Sequence, residues 1–153
     1  MRIYADGYIT KPTQPMFHAK GTSGWVSHTT ADANQTLPCS YEVTDQGGNY
    51  DNSNYVFTAP VAGSYVFHVQ VYAKLDSTAG YWSNYFYVNN ASSQETHHLW
   101  AYGTDATANE NTYEAHLIIK LAANDQVKYI IRAVGDDGDY YGGHTTFSGY
   151  LLG

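Results

Sequence analysis

At 153 residues and a formal net charge of −7, the chain has the length of one domain and lacks the basic surplus on which phosphate-backbone binders depend, which excludes nucleic acid as a partner. Charged residues make up 14% of it and hydrophobic residues 43%, so its polar surface is mostly uncharged. Sixteen Tyr, fourteen Gly and the absence of any sustained helical period exclude a helical bundle and favour pleated sheet and turns.

Residues 1–15 read as an extended N-terminal arm. Pro12 and Pro15 break any helix and bias their predecessors toward β or polyproline geometry. The start has no basic stretch followed by an apolar core, so no secretory leader is expected. No run approaches the ~20 apolar residues of a spanning helix, and no membrane insertion is expected. Residues 16–153 read as a single β domain. Short strands are predicted at 16–19, 25–28 and 39–43, followed by a turn-rich loop at 45–54.

Residues 55–75 read as a short strand, a tight turn at Pro60 to Gly63, and a long strand, together a hairpin. In the long strand Tyr65, Phe67, Val69, Val71 and Ala73 fall on one face, and Val66, His68, Gln70, Tyr72 and Lys74 on the other. A period of two with one purely apolar face marks a strand packed on a core. Further strands are predicted at 81–89, 95–103, 113–121, 126–134 and 144–152, with an acidic, glycine-rich loop at 135–143. About ten antiparallel strands with turns between them make an all-β jelly-roll sandwich. Cys39, the single cysteine, has no partner for an intrachain disulfide and reads as an unreactive buried thiol.

Several separated segments resemble a known family. Asn49-Tyr50-Asp51 and the stretch Phe57-Thr58-Ala59-Pro60-Val61-Ala62-Gly63-Ser64-Tyr65-Val66-Phe67 are similar to the signature of the globular head of the complement q subcomponent, within the tumour-necrosis-factor-like jelly rolls. Leu121-Ala122-Ala123-Asn124-Asp125-Gln126-Val127 is similar to that family's turn between its penultimate strands, and Phe147 to Leu152 to its last strand. Asn54 and Asn124 stand where the family often has Gly, and Asn tolerates the left-handed conformation such turns need. The resemblance implies a homotrimer. The opening residues, Gly7 to Pro12 and Gln14 to Phe17, resemble the start of small structural proteins of tailed bacterial viruses.

Apolar and aromatic residues opposite the core faces supply a trimer interface: Val66, Tyr72, Ile118, Ile130, Tyr150 and Leu152. Exposed in a monomer, they would form the kind of patch that marks association. No nucleophile elbow or phosphate-cradling loop is present, so no enzyme is expected. The chain is expected to need no cofactor, with calcium as the one candidate ion. Asp136, Asp137 and Asp139 offer it hard oxygen ligands, near the loop where the resembling family often binds it. His97 and His98 point to opposite faces of a strand; His68 and His116 lie on strands the jelly roll would pair, but two ligands make a weak metal site. Tyr140 and Tyr141, in the acidic loop, are candidates for receptor contact. The resulting expectation is a non-enzymatic protein of a virion surface, made in the host cytoplasm. It would decorate a capsid or form a tail or fibre knob, holding other virion proteins through its arm. The alternative is an adhesin head that recognises a host glycan or protein.

Overall fold

A computed structural model describes residues 2–3, 9–10, 13–28, 32–75, 80–90, 96–102, 110–135 and 137–152. Among them, strand segments follow in chain order as β1 (Arg2–Ile3), β2 (Ile9–Thr10), β3 (Met16–Lys20), β4 (Trp25–His28), β5 (Gln35–Thr36), β6 (Tyr41–Gln46), β7 (Tyr50–Asp51) and β8 (Val56–Thr58). They continue as β9 (Gly63–Leu75), β10 (Tyr81–Val88), β11 (Thr96–Tyr102), β12 (Asn111–Leu121), β13 (Gln126–Ile131), β14 (Ala133–Val134), β15 (Gly138–Tyr141) and β16 (Thr146–Leu151). The all-β expectation holds. The expected ten strands undercount these segments, because two-residue pieces such as β5, β7 and β14 carry no period that a sequence could display.

Two antiparallel sheets stack face to face. The first runs β6-β3-β16-β9-β12, with β15 and β4 taking over the β16 flank of β9 at its C-terminal end. The second runs β11-β10-β13-β8-β7, with β14 and β5 attached to β10 and β13. The long strand β9 organises the first sheet. It pairs β12 along eleven consecutive positions, from Gly63 opposite Leu121 to Ala73 opposite Asn111.

The alternation read from β9 is realised in full. Tyr65, Phe67, Val69, Val71 and Ala73 are buried against the second sheet, and the intervening residues are only partly covered. Phe17, Phe57, Phe67, Phe86 and Phe147 meet in a nucleus of rings, with Phe17 stacked on Tyr50 at 4.7 Å and edge-on to Phe147 at 4.9 Å. Burial of each such side chain contributes about 1.5–3 kcal/mol, and offset or edge-on ring pairs add about 0.5–1.5 kcal/mol. The nucleus also explains Gly149. A Cβ there would stand 2.5 Å from the Phe67 ring and 2.9 Å from that of Phe17, so the last strand crosses the nucleus at its one residue without a side chain.

Three local expectations are corrected. First, β8 and β9 do not form a hairpin. The chain crosses from one sheet to the other between them, so Phe57 faces Phe67 across the core at 5.5 Å instead of lying beside it. Gly63 begins β9 without adopting the left-handed conformation. Second, the left-handed residue near 54 is Tyr55 (φ 62°), where the turn is closed by its N–H donating to the Asp51 carbonyl at 2.6 Å. Asn124 does take the left-handed form, at φ 71°. Third, the acidic loop is shorter than expected, because residues 138–141 form β15 between β4 and β9. At the N-terminus β1 and β2 pair antiparallel, Arg2 opposite Thr10 and Ile3 opposite Ile9. Gln14 donates to the Leu151 carbonyl, and Leu151 N–H donates to that of Pro15 at 3.0 Å, which ties the arm's last residues to β16.

Candidate functional site

The outer face of the first sheet is built by register. Because strand pairing lines side chains up across a sheet, its outward residues form cross-strand rows. One row runs Ile118, Val66, Tyr150, Met16 over β12, β9, β16 and β3. The next runs His116, His68, Ser148, His18, and a third runs Glu114, Gln70, Thr146, Lys20. The first row is apolar from end to end. Ile118 is 69% exposed, Tyr150 46% and Met16 40%. Between the first two rows lies an open depression of ≈ 620 Å³ lined by Gln14, Met16, His18, His68, Ser148 and Tyr150 among others.

Of the residues expected at a subunit interface, Val66, Ile118 and Tyr150 are thus brought together. Leu152, two positions beyond Tyr150, is also exposed. Tyr72 stands apart, six residues or about 20 Å along β9 from Val66. It donates a hydrogen bond to Glu110, which raises its phenol pKa. It also joins a second surface cluster, within 5.6 Å of Trp25 and 5.5 Å of His144, with Tyr141 at 6.5 Å. Lys74 sits over the Trp25 ring at 4.8 Å.

Ile130 is a correction. It lies on the second sheet opposite Tyr85 and Thr36 and is 3% exposed, so it has no surface to offer a partner. Both faces of the central β10–β13 pair are buried there, as the unbroken run Trp82 to Phe86 also shows. Tyr140 is corrected on the same ground. On β15 it points inward and is 1% exposed, while Tyr141 points out and enters the aromatic cluster, 5.5 Å from Trp25 and 4.7 Å from His144. Of the three carboxylates expected to hold calcium, Asp136 lies outside the described residues. Asp139 is on β15 and paired with Lys74 at 3.2 Å, and Asp137 precedes that strand. The expected cage therefore becomes partly a strand with an ion pair.

Two members of the outer face went unread in the sequence. Met16, His18 and Lys20 alternate with the buried Phe17 and Ala19, a period too short in five residues to stand out beside Pro15. Glu114, on β12, lies opposite Gln70. It stands on the same face as His116, next to the His68–His116 pair, whose rings stack with centroids 4.5 Å apart. Burial, with His116 close by, holds His68 below its ordinary pKa. The groups displaced furthest, Cys39, Tyr50, Tyr129 and Tyr140, are all raised by burial in the core. Neutral and enclosed, they suit packing rather than acid–base work.

Comparison with known proteins bears on the whole domain. The family profile described as the C1q domain matches residues 17–152. No curated protein matches the chain. Among solved structures it is similar to the globular domain of zebrafish complement 1qA protein, at 15% identity and a TM-score of 0.61, covering 92% of this chain and 98% of that one. It is similar to murine APRIL at 13% identity and a TM-score of 0.66, covering 91% and 99%. It is also similar to the Eiger TNF of S. frugiperda at 13% identity and a TM-score of 0.60, covering 92% and 94%. Identities this low speak to the fold alone.

Proposed function

The chain belongs to the C1q domain family, and from that premise we propose that it is a non-enzymatic homotrimer on the surface of a bacterial virus particle. The observation that carries the self-association is the apolar row Ile118, Val66, Tyr150, Met16, open on the outer face of the first sheet. An apolar patch of this kind marks association, and three copies closing around an axis would cover it without leaving a free interface. The family's trimeric habit, implied by the resemblance, supports the same number. The virion assignment is supported by the resemblance of residues 7–17 to the opening of small structural proteins of tailed bacterial viruses. In this reading the protein is made in the host cytoplasm and decorates a capsid or tail, and the N-terminal stretch anchors it.

Light scattering of the purified chain tests the first half: a trimer is expected, and a monomer at micromolar concentration overturns it. The second half is tested with bare capsids. Deletion of residues 1–12 stops short of Gln14 and Pro15, whose bonds to Leu151 belong to the domain. It is expected to leave the trimer intact and to abolish decoration. Undiminished decoration by the truncated form removes the anchoring role.

One observation favours a second reading, an adhesin head. Trp25, 40% exposed, clusters with Tyr72, Tyr141 and His144, and rings at a surface suit sugar faces and protein receptors. Trp25→Ala would then abolish binding to host cells while leaving the trimer unchanged.

A further inference from the structure

We propose that His68, Glu114 and His116 form a binding site for a transition-metal ion, zinc(II) above all, within a single protomer. His116 and His68 face each other directly across β12 and β9, and Glu114 precedes His116 by two residues on the same face. One nitrogen from each imidazole and one carboxylate oxygen all lie within 4.8 Å of one another. Ligand atoms around a tetrahedral zinc, with bonds of about 2.0–2.1 Å, stand about 3.3 Å apart. Glu114 and His116 are exposed, so rotation of those two side chains closes the difference without moving the strands.

The donor set selects the ion. Two imidazoles and one carboxylate suit zinc and its neighbours, whereas calcium and magnesium take oxygen ligands alone. Three protein ligands leave the fourth position to water. His18 is not in the shell, since it stands two strands from His68, about 9–10 Å away at ordinary strand spacing. The His68 and His116 rings already stack with centroids 4.5 Å apart, so the strand register alone brings both imidazoles to one place.

The test uses the full chain, stripped with chelator and titrated with zinc chloride by calorimetry. One zinc per chain is expected, with a rise in melting temperature that follows zinc concentration. His116→Ala and Glu114→Gln each lie on exposed positions and spare the core; each is expected to weaken binding at least about 10-fold. His18→Ala is expected to leave it unchanged. A dissociation constant weaker than about 100 μM, or binding that neither the His116 nor the Glu114 variant weakens, overturns the site. Light scattering on the same samples keeps the inference apart from the trimer reading. A monomer that binds one zinc upholds the site while the homotrimer fails.

Discussion

Replacing Ile118 by Asp separates a surface residue from an interface residue more sharply than any other substitution on this face. In a lone protomer Ile118 leaves 69% of its surface in water. Full burial of an Ile side chain contributes about 1.5–3 kcal/mol, so covering the exposed part contributes about 1–2 kcal/mol per subunit. Three subunits together make about 3–6 kcal/mol per trimer, roughly a 10²- to 10⁴-fold change in its dissociation constant. The carboxylate adds to this, because an unpaired charge would have to be desolvated at the seam. On the protomer itself the change costs about 1 kcal/mol or less, the span of strand propensity at an exposed position. The expected outcome is a folded monomer with an unchanged far-ultraviolet spectrum, read by light scattering across a dilution series. Val61→Asp is the control. Val61 is also exposed, 46%, but sits in the β8–β9 connection outside the apolar row, and this variant is expected to remain trimeric. An Ile118→Asp protein that stays trimeric on dilution refutes the placement of the seam.

The remaining expectations concern the protomer. Gly149→Ala forces a methyl against Phe67 and Phe17 and should cost about 1–3 kcal/mol in urea unfolding; an unchanged midpoint would mean that the ring nucleus can yield. The Cys39 thiol is fully buried and its pKa is raised by burial, so a thiol reagent should label it only as the protein unfolds, and prompt labelling of native protein would contradict this. Asp51 accepts from the N–H groups of Ser53 and Asn54 and from the Asn54 amide, and Asp125 from Ala122 N–H and the Asn89 amide, which lowers both carboxyl pKa values. A lowered folded-state pKa contributes stability above the unfolded value near 3.9 that is lost as pH falls through the folded one. Melting temperature should therefore drop below about pH 4. The double variant Asp51→Asn, Asp125→Asn should show a shallower drop, and identical acid profiles would remove these turns from the account.

The parts of the fold that were legible are those where one face is dry and the other wet. On β9 the alternation of Tyr65, Phe67, Val69, Val71 and Ala73 with polar neighbours is the direct imprint of a half-buried strand. It failed where that asymmetry is missing. The run Trp82 to Phe86 is buried on both faces, and the same enclosure hides Ile130, so an apolar residue opposite the core face there belongs to the interior. Residues 138–141 were unreadable as a strand for a different reason. Gly138 opens β15 because a Cβ would meet the Lys74 carbonyl at 2.7 Å and the Trp82 ring at 2.8 Å. The glycine that signals a loop in sequence is there for close packing.

The candidate site shows a further limit, that of a period against a register. Alternation assigns Val66, His68, Ile118 and His116 to outward faces, but it cannot say which residue stands opposite which. That depends on how β12 slides along β9, which is settled by the core. Leu117 meets Phe67, and Leu121 reaches Gly63 at the start of the strand. A shift of two residues would preserve every face while setting Glu114 or Ile118 against His68. The apolar row and the His68–His116 pair are thus consequences of the packing on the other side of the sheet. The same core contacts hold the association face and the proposed metal ligands in place. Gly149→Ala, which crowds Phe67 from β16, is therefore expected to weaken zinc binding as well as stability, although it touches none of the three ligands. Zinc affinity unaffected by that variant would mean that the histidine pair is held by its own strands alone.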